Sequence, residues 1–329
     1  MTAYRHETPP RAARADLALR RVPLDRALDR TRGVDDPART RRRLPNLLLA
    51  GVTHAGAAGL ARDLAEHPQV HLPAGRRIDH FTPLRYGRTV DRPLEDYAEH
   101  FSGWRGQRYR LDCSPVSFDG GRRLVQAVDG ALPGLRVLIV LRDPAERLWA
   151  SYTDKVASGR LPRAMTYETF VERCLALRAN GTDRYEGNRY FRTLSSGFYT
   201  EHLPLWLDAF GPRVRVVFAE DLRRDPAQAL ADVAGWLDLD PGGLPPAPAD
   251  PDGATVAAPR ALHRVRAALS LLMPGSGDPA GSAGTAGAVQ RPGDRMLNRV
   301  RCLYAGGNRE LAALLRDRGR TDLPAWLQG

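Results

Sequence analysis

Lysine is almost missing from this chain. Lys155 is the only one, although lysine and arginine together number 49 against 38 acidic residues and leave a net charge of +11. A basic excess made of arginine, in a background rich in alanine, glycine and proline, reads as GC-rich coding and not as a surface selected for nucleic-acid phosphates, so no nucleic-acid partner is expected. Cysteine is scarce as well. Cys113, Cys174 and Cys302 are scattered, which argues against a disulfide framework and against a metal cluster. His67 and His71 lie four apart, but Pro68 breaks the helix that would align them, and no metal is expected. No apolar run approaches the roughly 18 residues of a membrane span. The arginine-rich N-terminal stretch also lacks the apolar segment of a signal peptide, so a cytoplasmic protein without a membrane span is expected.

What remains is an ordinary soluble composition, 43% hydrophobic over 329 residues, enough for one large α/β domain. About half of the net charge of +11 lies before Leu44, so residues 1–44 read as a solvated, disordered arm. The folded part is expected from Pro45, as a single domain over 45–329 with its core in 45–240. Leu47–Val52, Val137–Leu141 and Val214–Ala219 are apolar runs of buried parallel strands, and Tyr109–Cys113 is a weaker one. Helices are expected from about Gly59 to His67, after Asp143 up to Gly159, over Tyr167–Arg178, over Gly197–Phe210 and over Ala227–Leu237. Alternating strands and helices predict a parallel sheet flanked by helices, of P-loop-like, Rossmann type. Residues 240–259 and 274–293 are rich in proline and glycine and read as loops. Arg260–Met273 reads as a helix, and a C-terminal helix over 296–317 is expected to pack back on the core.

The segment from Leu135 to Tyr152 is the most informative. A buried strand runs into a helix with Asp143 at the N-cap, Pro144 at the first helical position and Glu146 three residues after the cap. A helix N-terminus at the carboxyl edge of a parallel strand attracts anions, and Arg142 adds a full charge there. The loop after the first strand, Gly51-Val52-Thr53-His54-Ala55-Gly56-Ala57-Ala58-Gly59, should face the same crevice. Its small residues leave backbone N–H groups open to a phosphate. Gly51 and Gly56 have the Walker spacing, but Ala57 and Ala58 occupy the places of the phosphate lysine and the magnesium-binding hydroxyl, so a P-loop ATPase or kinase is the weakest reading.

These pieces, in this order, resemble the sulfotransferases that use 3′-phosphoadenylyl sulfate, in particular bacterial relatives of the heparan sulfate sulfotransferases. The resemblance rests on Gly51…Leu60, His67-Pro68-Gln69-Val70, Ile78-Asp79-His80-Phe81, Ser114-Pro115, Leu141-Arg142-Asp143-Pro144…Arg147…Tyr152, Gly197-Phe198-Tyr199 and Glu220-Asp221-Leu222…Asp225-Pro226. It implies transfer of a sulfuryl group to a hydroxyl or amine of a glycan, lipid or small-molecule acceptor, without a metal. The first loop (Ala55, Gly56, Ala57, Ala58, Gly59) would hold the 5′-phosphosulfate, and Arg142 with Ser151 the 3′-phosphate. His54, Asp112 and His80 are the candidate catalytic side chains.

The sequence departs from that pattern where chemistry is expected. The resemblance implies lysine, a small residue, glycine and two hydroxyl residues in the first loop, and the chain has His54-Ala55-Gly56-Ala57-Ala58. Arg77 stands where the family's acidic base falls, and Ala150 where its phosphate serine falls, with Ser151 one residue along. Histidine supplies charge only when protonated, which a neighbouring anion favours. Asp112 is either an acid/base group or a strand-end hydrogen-bond acceptor. Arg147 is either a site residue or a structural ion-pair partner, and Tyr152 reads as core. An impaired, scaffold-like member of the fold is the alternative function.

Overall fold

The computed structural model describes residues 37–74, 77–244 and 293–328. Residues 1–36, Arg76, the helix expected at 260–273 and most of the two proline- and glycine-rich stretches lie outside the described residues.

Five parallel strands form one sheet: β1 (Leu47–Gly51), β2 (Val70–His71), β3 (Tyr109–Cys113), β4 (Arg136–Leu141) and β5 (Val214–Phe218), in the order β2-β3-β1-β4-β5. The central strands are the apolar ones, as a sheet covered on both faces requires. All five residues of β1 are buried, and Val137, Leu138, Ile139, Val140 and Leu141 of β4 are each 0% exposed. Leu48 pairs with Val137, and Val140 of β4 with Val217 of β5.

The helices are α1 (Pro37–Arg43), α2 (Ala57–Ala65), α3 (Leu94–Glu99), α4 (Arg122–Ala131), α5 (Pro144–Ala157), α6 (Tyr167–Ala179), α7 (Leu203–Phe210), α8 (Ala219–Arg224), α9 (Pro226–Trp236) and α10 (Asp294–Asp317). Side-chain caps explain several starts. Asp143 accepts from the Ala145 and Glu146 amides at 2.8 and 3.4 Å, Thr166 from Thr169 at 3.2 Å, and Asp225 from Gln228 at 3.0 Å.

Three expectations are corrected. Ordered chain begins before Pro45: Pro37–Arg43 is helical, Leu44 is buried and its carbonyl accepts from Arg110 Nε at 2.7 Å. The single helix expected over Gly197–Phe210 is two 3₁₀ turns, Ser195–Gly197 and Tyr199–Glu201, followed by α7. Pro204 sets that break, because proline is accommodated in a first turn and not in a helix interior. The first-loop helix starts at Ala57, two residues before Gly59.

α10 spans two hydrophobic clusters. Met296, Val300 and Tyr304 pack with Tyr152, Tyr167, Phe170 and Cys174, while Leu311, Ala312 and Leu315 join the main core over the sheet. Tyr304 donates its hydroxyl to the Leu194 carbonyl at 2.8 Å and so ties α10 to the segment before Ser195–Gly197. No helix among the described residues is long and apolar enough to cross a membrane.

Candidate active site

β1 and β4 are neighbours, yet the chain leaves β1 toward the β3 side of the sheet and β4 toward the β5 side. That reversal opens a crevice at the carboxyl ends of the two strands. Both loops singled out in the sequence meet there. The Val52 amide donates to the Val140 carbonyl at 2.9 Å, and Arg142 Nη1 donates to the His54 carbonyl at 3.1 Å. Arg142 is held from behind, its own carbonyl accepting from the Tyr199 hydroxyl at 2.8 Å. Its Nε is buried without a partner among the described residues. Burial and then Arg223 pull its pKa below the usual guanidinium value.

The first loop turns tightly. His54 has φ +64° and Gly56, which heads α2, has φ +95°. The left-handed value suits glycine at Gly56 and costs His54 of order 1 kcal/mol. The loop's inner bonds run from Ala55 to the Val52 carbonyl and from Gly59 and Leu60 to the Gly56 carbonyl. The amides of Thr53, His54, Gly56, Ala57 and Ala58 take no partner among the described residues. Gly56 and Ala58 are exposed, Gly59 is half-buried, and Ala55 and Ala57 are buried. The loop therefore offers backbone donors and no cationic side chain. His54 does not fill that role in the free protein. Burial, followed by Lys155, Arg147, Arg142 and Arg160, lowers its pKa to about 3 and keeps the ring neutral.

Asp112 and His80 sit on the β3 side, joined through Tyr97. Asp112 is enclosed, its carboxylate accepting from the Tyr97 hydroxyl at 2.6 Å and the Ser114 hydroxyl at 2.7 Å. Burial raises its pKa to about 6 against those two hydrogen bonds. His80 is buried and stacks on Tyr97 with ring centroids 4.5 Å apart; burial, then Arg92 and His100, lower its pKa to about 4. A more open carboxylate stands beside them. The Asp79 amide donates to Ser114 Oγ at 3.1 Å, Oδ2 pairs with Arg77 at 2.9 Å, and Oδ1 has no partner among the described residues. Asp79 lies two residues beyond Arg77, and its segment was visible in the sequence as Ile78-Asp79-His80-Phe81.

Ser151 is enclosed beneath the surface of α5. It is 0% exposed, and its Oγ accepts from Thr193 Oγ1 at 2.9 Å and from Lys155 Nζ. Arg147 is equally enclosed at 0% and donates to the Thr193 hydroxyl at 3.4 Å and to the Thr193 carbonyl. It has no carboxylate partner among the described residues, which removes the ion-pair reading. Tyr152 is core, with its hydroxyl on the Met165 carbonyl at 2.7 Å. The sequence did carry a signal for the missed Lys155. Arg147, Ser151 and Lys155 recur every four residues, next to the apolar stripe of Leu148, Tyr152 and Val156, so they had to be buried polar groups.

No family model matches the chain. Among curated proteins it is similar to the bifunctional heparan sulfate N-deacetylase/N-sulfotransferase 1 of Caenorhabditis briggsae, 25% identical over 209 residues that cover 61% of this chain and 23% of that protein. It is also similar to the mouse heparan sulfate glucosamine 3-O-sulfotransferase 6, 25% identical over 201 residues that cover 60% of this chain and 54% of that protein. The chain thus spans about a quarter of the first relative's length and about half of the second's. Among solved structures, a sulfotransferase from Alicyclobacillus acidocaldarius shares the fold, with a TM-score of 0.54 and 23% identity over 69% of this chain and 92% of that one. The similarity read from the motifs recurs in these comparisons.

Proposed function

We infer that this chain is a sulfotransferase that draws its sulfuryl group from 3′-phosphoadenylyl sulfate. One observation carries the reading: Arg142 clasps the His54 carbonyl at 3.1 Å, so the amide-rich loop and the capped strand–helix junction form one anion-binding crevice. Its setting, a fold shared with a sulfotransferase and a sequence similar to sulfotransferase domains, supports sulfate over phosphate transfer.

In this reading the free amides of Thr53, His54, Gly56, Ala57 and Ala58 receive the phosphosulfate and Arg142 a phosphate of the same nucleotide. The acceptor is a hydroxyl or amine of a glycan or small molecule. As its oxygen or nitrogen bonds to sulfur, the bond from sulfur to the 5′-phosphate oxygen breaks, and that oxygen keeps the electron pair. The leaving group is 3′,5′-adenosine bisphosphate. The acceptor's proton goes to a carboxylate, and Asp79, with its side chain 24% exposed, suits that task better than the enclosed Asp112. Fixed donors around the leaving oxygen lower the barrier because they need no reorientation.

The test is transfer of labelled sulfate from 3′-phosphoadenylyl sulfate to a panel of glycan and small-molecule acceptors. Wild-type turnover is expected, with a loss of about 10²–10³-fold in Arg142→Ala, the scale of one preorganised charge-stabilising donor. No turnover together with no binding of 3′,5′-adenosine bisphosphate refutes the reading. Binding without turnover leaves a nucleotide-binding member of the fold, the alternative that the lysine-free loop favours.

A further inference from the structure

Two cations are buried on the inner face of α5 without a counter-charge. Arg147 is 0% exposed and Lys155 is 7% exposed, and neither has a carboxylate within ion-pairing distance among the described residues. Burying unpaired ions costs several kcal/mol each, which a fold does not carry without a compensating partner. The hydrogen bonds present compensate in part. Lys155 and Thr193 both donate to Ser151, and Arg147 donates to Thr193. The set holds an ammonium, a guanidinium and two hydroxyls, against two hydroxyl oxygens, the Thr193 carbonyl and the Tyr199 hydroxyl oxygen beside Arg147 as acceptors. Donors are in surplus: Arg147 Nε is buried with no acceptor, and the Ser151 hydroxyl has none for its proton. An acceptor-rich anion is what this cluster lacks.

The cluster also adjoins the crevice through Tyr199, whose hydroxyl donates to the Arg142 carbonyl at 2.8 Å and faces the Arg147 guanidinium. Lys155 is the strongest charge acting on the His54 ring, ahead of Arg147 and Arg142. The first loop itself brings no cationic side chain.

We propose that Arg147, Ser151, Lys155 and Thr193 form the floor of the anion site, and that Lys155 supplies there the side-chain ammonium that the first loop does not. The ligand class is a nucleotide phosphate, so the proposal rests on the functional reading above and refines it. Lys155 then makes nucleotide binding depend on pH. The groups facing it are Arg147 and Asp154 of α5, His54 of the first loop, Arg160 of the following turn and Cys174 of α6, with the Phe170 ring 5.9 Å away. Burial and then Arg147 lower the Lys155 pKa to about 7. The Cys174 thiol is raised to about 12 by burial and is neutral across the range that matters. A bound dianion holds the ammonium charged, so affinity falls as pH rises above 7.

The experiment is calorimetric titration of the full chain with 3′,5′-adenosine bisphosphate from pH 7 to pH 9. Wild type, Lys155→Met, Lys155→Arg and Arg142→Ala are compared, each checked for folding by circular dichroism. Wild-type affinity is expected to fall toward tenfold per pH unit, the limit for one linked proton. Lys155→Met is expected to bind at least tenfold more weakly at pH 7 with no slope. Lys155→Arg, charged throughout, is expected to lose the slope. Wild-type affinity and slope in Lys155→Met, alongside lost binding in Arg142→Ala, overturn the role of Lys155 and leave the nucleotide site standing. Absent binding in the wild type overturns both.

Discussion

Replacing Asp119 by asparagine is expected to remove much of the stability of this fold. Asp119 is buried between two arginines: Oδ2 lies 2.5 Å from Arg85 Nη2 and 3.1 Å from Arg192 Nε, and it also accepts from Ser196 Oγ. Arg85 and Arg192 are themselves only 9% and 8% exposed in their side chains. Asparagine preserves the shape and removes the charge, which leaves two like-charged guanidinium groups facing each other out of water. Breaking a buried ion pair from one side costs about 3–5 kcal/mol. Against a typical total of about 5–15 kcal/mol, that is at least about a fifth of the margin. Urea denaturation at pH 7 reads it as a lower midpoint at unchanged slope. The pH dependence has a definite sign. Burial alone would raise the Asp119 pKa, but Arg85 and then Arg192 outweigh it and hold the carboxyl well below the usual range. Its contribution is therefore complete above the unfolded carboxylate pKa of about 3.9 and is lost as pH falls below that value. The gap between wild type and Asp119→Asn should be constant from pH 5 to 7 and narrow toward pH 3. A gap under about 1 kcal/mol at pH 7, or one that does not narrow in acid, refutes the reasoning.

Two further expectations concern the crevice. Tyr97→Phe removes the 2.6 Å bond to Asp112, whose pKa burial has already raised to about 6. Because that folded pKa lies above the unfolded one, the Asp112 contribution to stability declines as pH rises from about 4 to 6, and in the variant this decline should extend above pH 6, so the difference between wild type and variant should widen with pH; a difference in urea titrations that does not change with pH counts against the assignment. His54, lowered to about 3 by burial and four cations, should show no ring titration by NMR between pH 5 and 8 in the ligand-free protein; a midpoint near 6.5 would mean that the ring is solvated and distant from Lys155.

How much of this was legible depends on the range of the interaction that decides each feature. β1 and β4 were visible because burial on both faces writes a continuous apolar run, and the start of α5 because Asp143 caps it within three residues. α4 was missed: it begins after Gly120-Gly121 with two arginines, and only Leu124, Val125 and Val128 mark its buried side. The helix expected over Gly197–Phe210 dissolved into turns because Pro204 limits α7 and because Tyr304 fills the space beside Gly197. The crevice itself was legible from two local motifs and one topological rule. The charge state of His54 was not, since it is set by burial and then by Lys155 and Arg147 of α5, about a hundred residues along the chain. Nor was the partnership of Ser151 with Thr193, separated by 42 residues, which no local spacing reveals.

Arg192 and Thr193 are consecutive, and they face opposite ways. Arg192 is drawn to Asp119, and Thr193 to Arg147 and Ser151. One peptide unit thus stitches the ion cluster that stabilises the scaffold to the polar set beneath the crevice. A short strap of this kind transmits displacement without needing a moving domain: slack on the Asp119 side becomes misplacement of a hydroxyl on the other. Damage at a distance from the crevice, by mutation or by acid, should therefore be felt there as altered alignment before the chain unfolds. Tolerance to substitution along this strap will be narrower than its place between helices suggests.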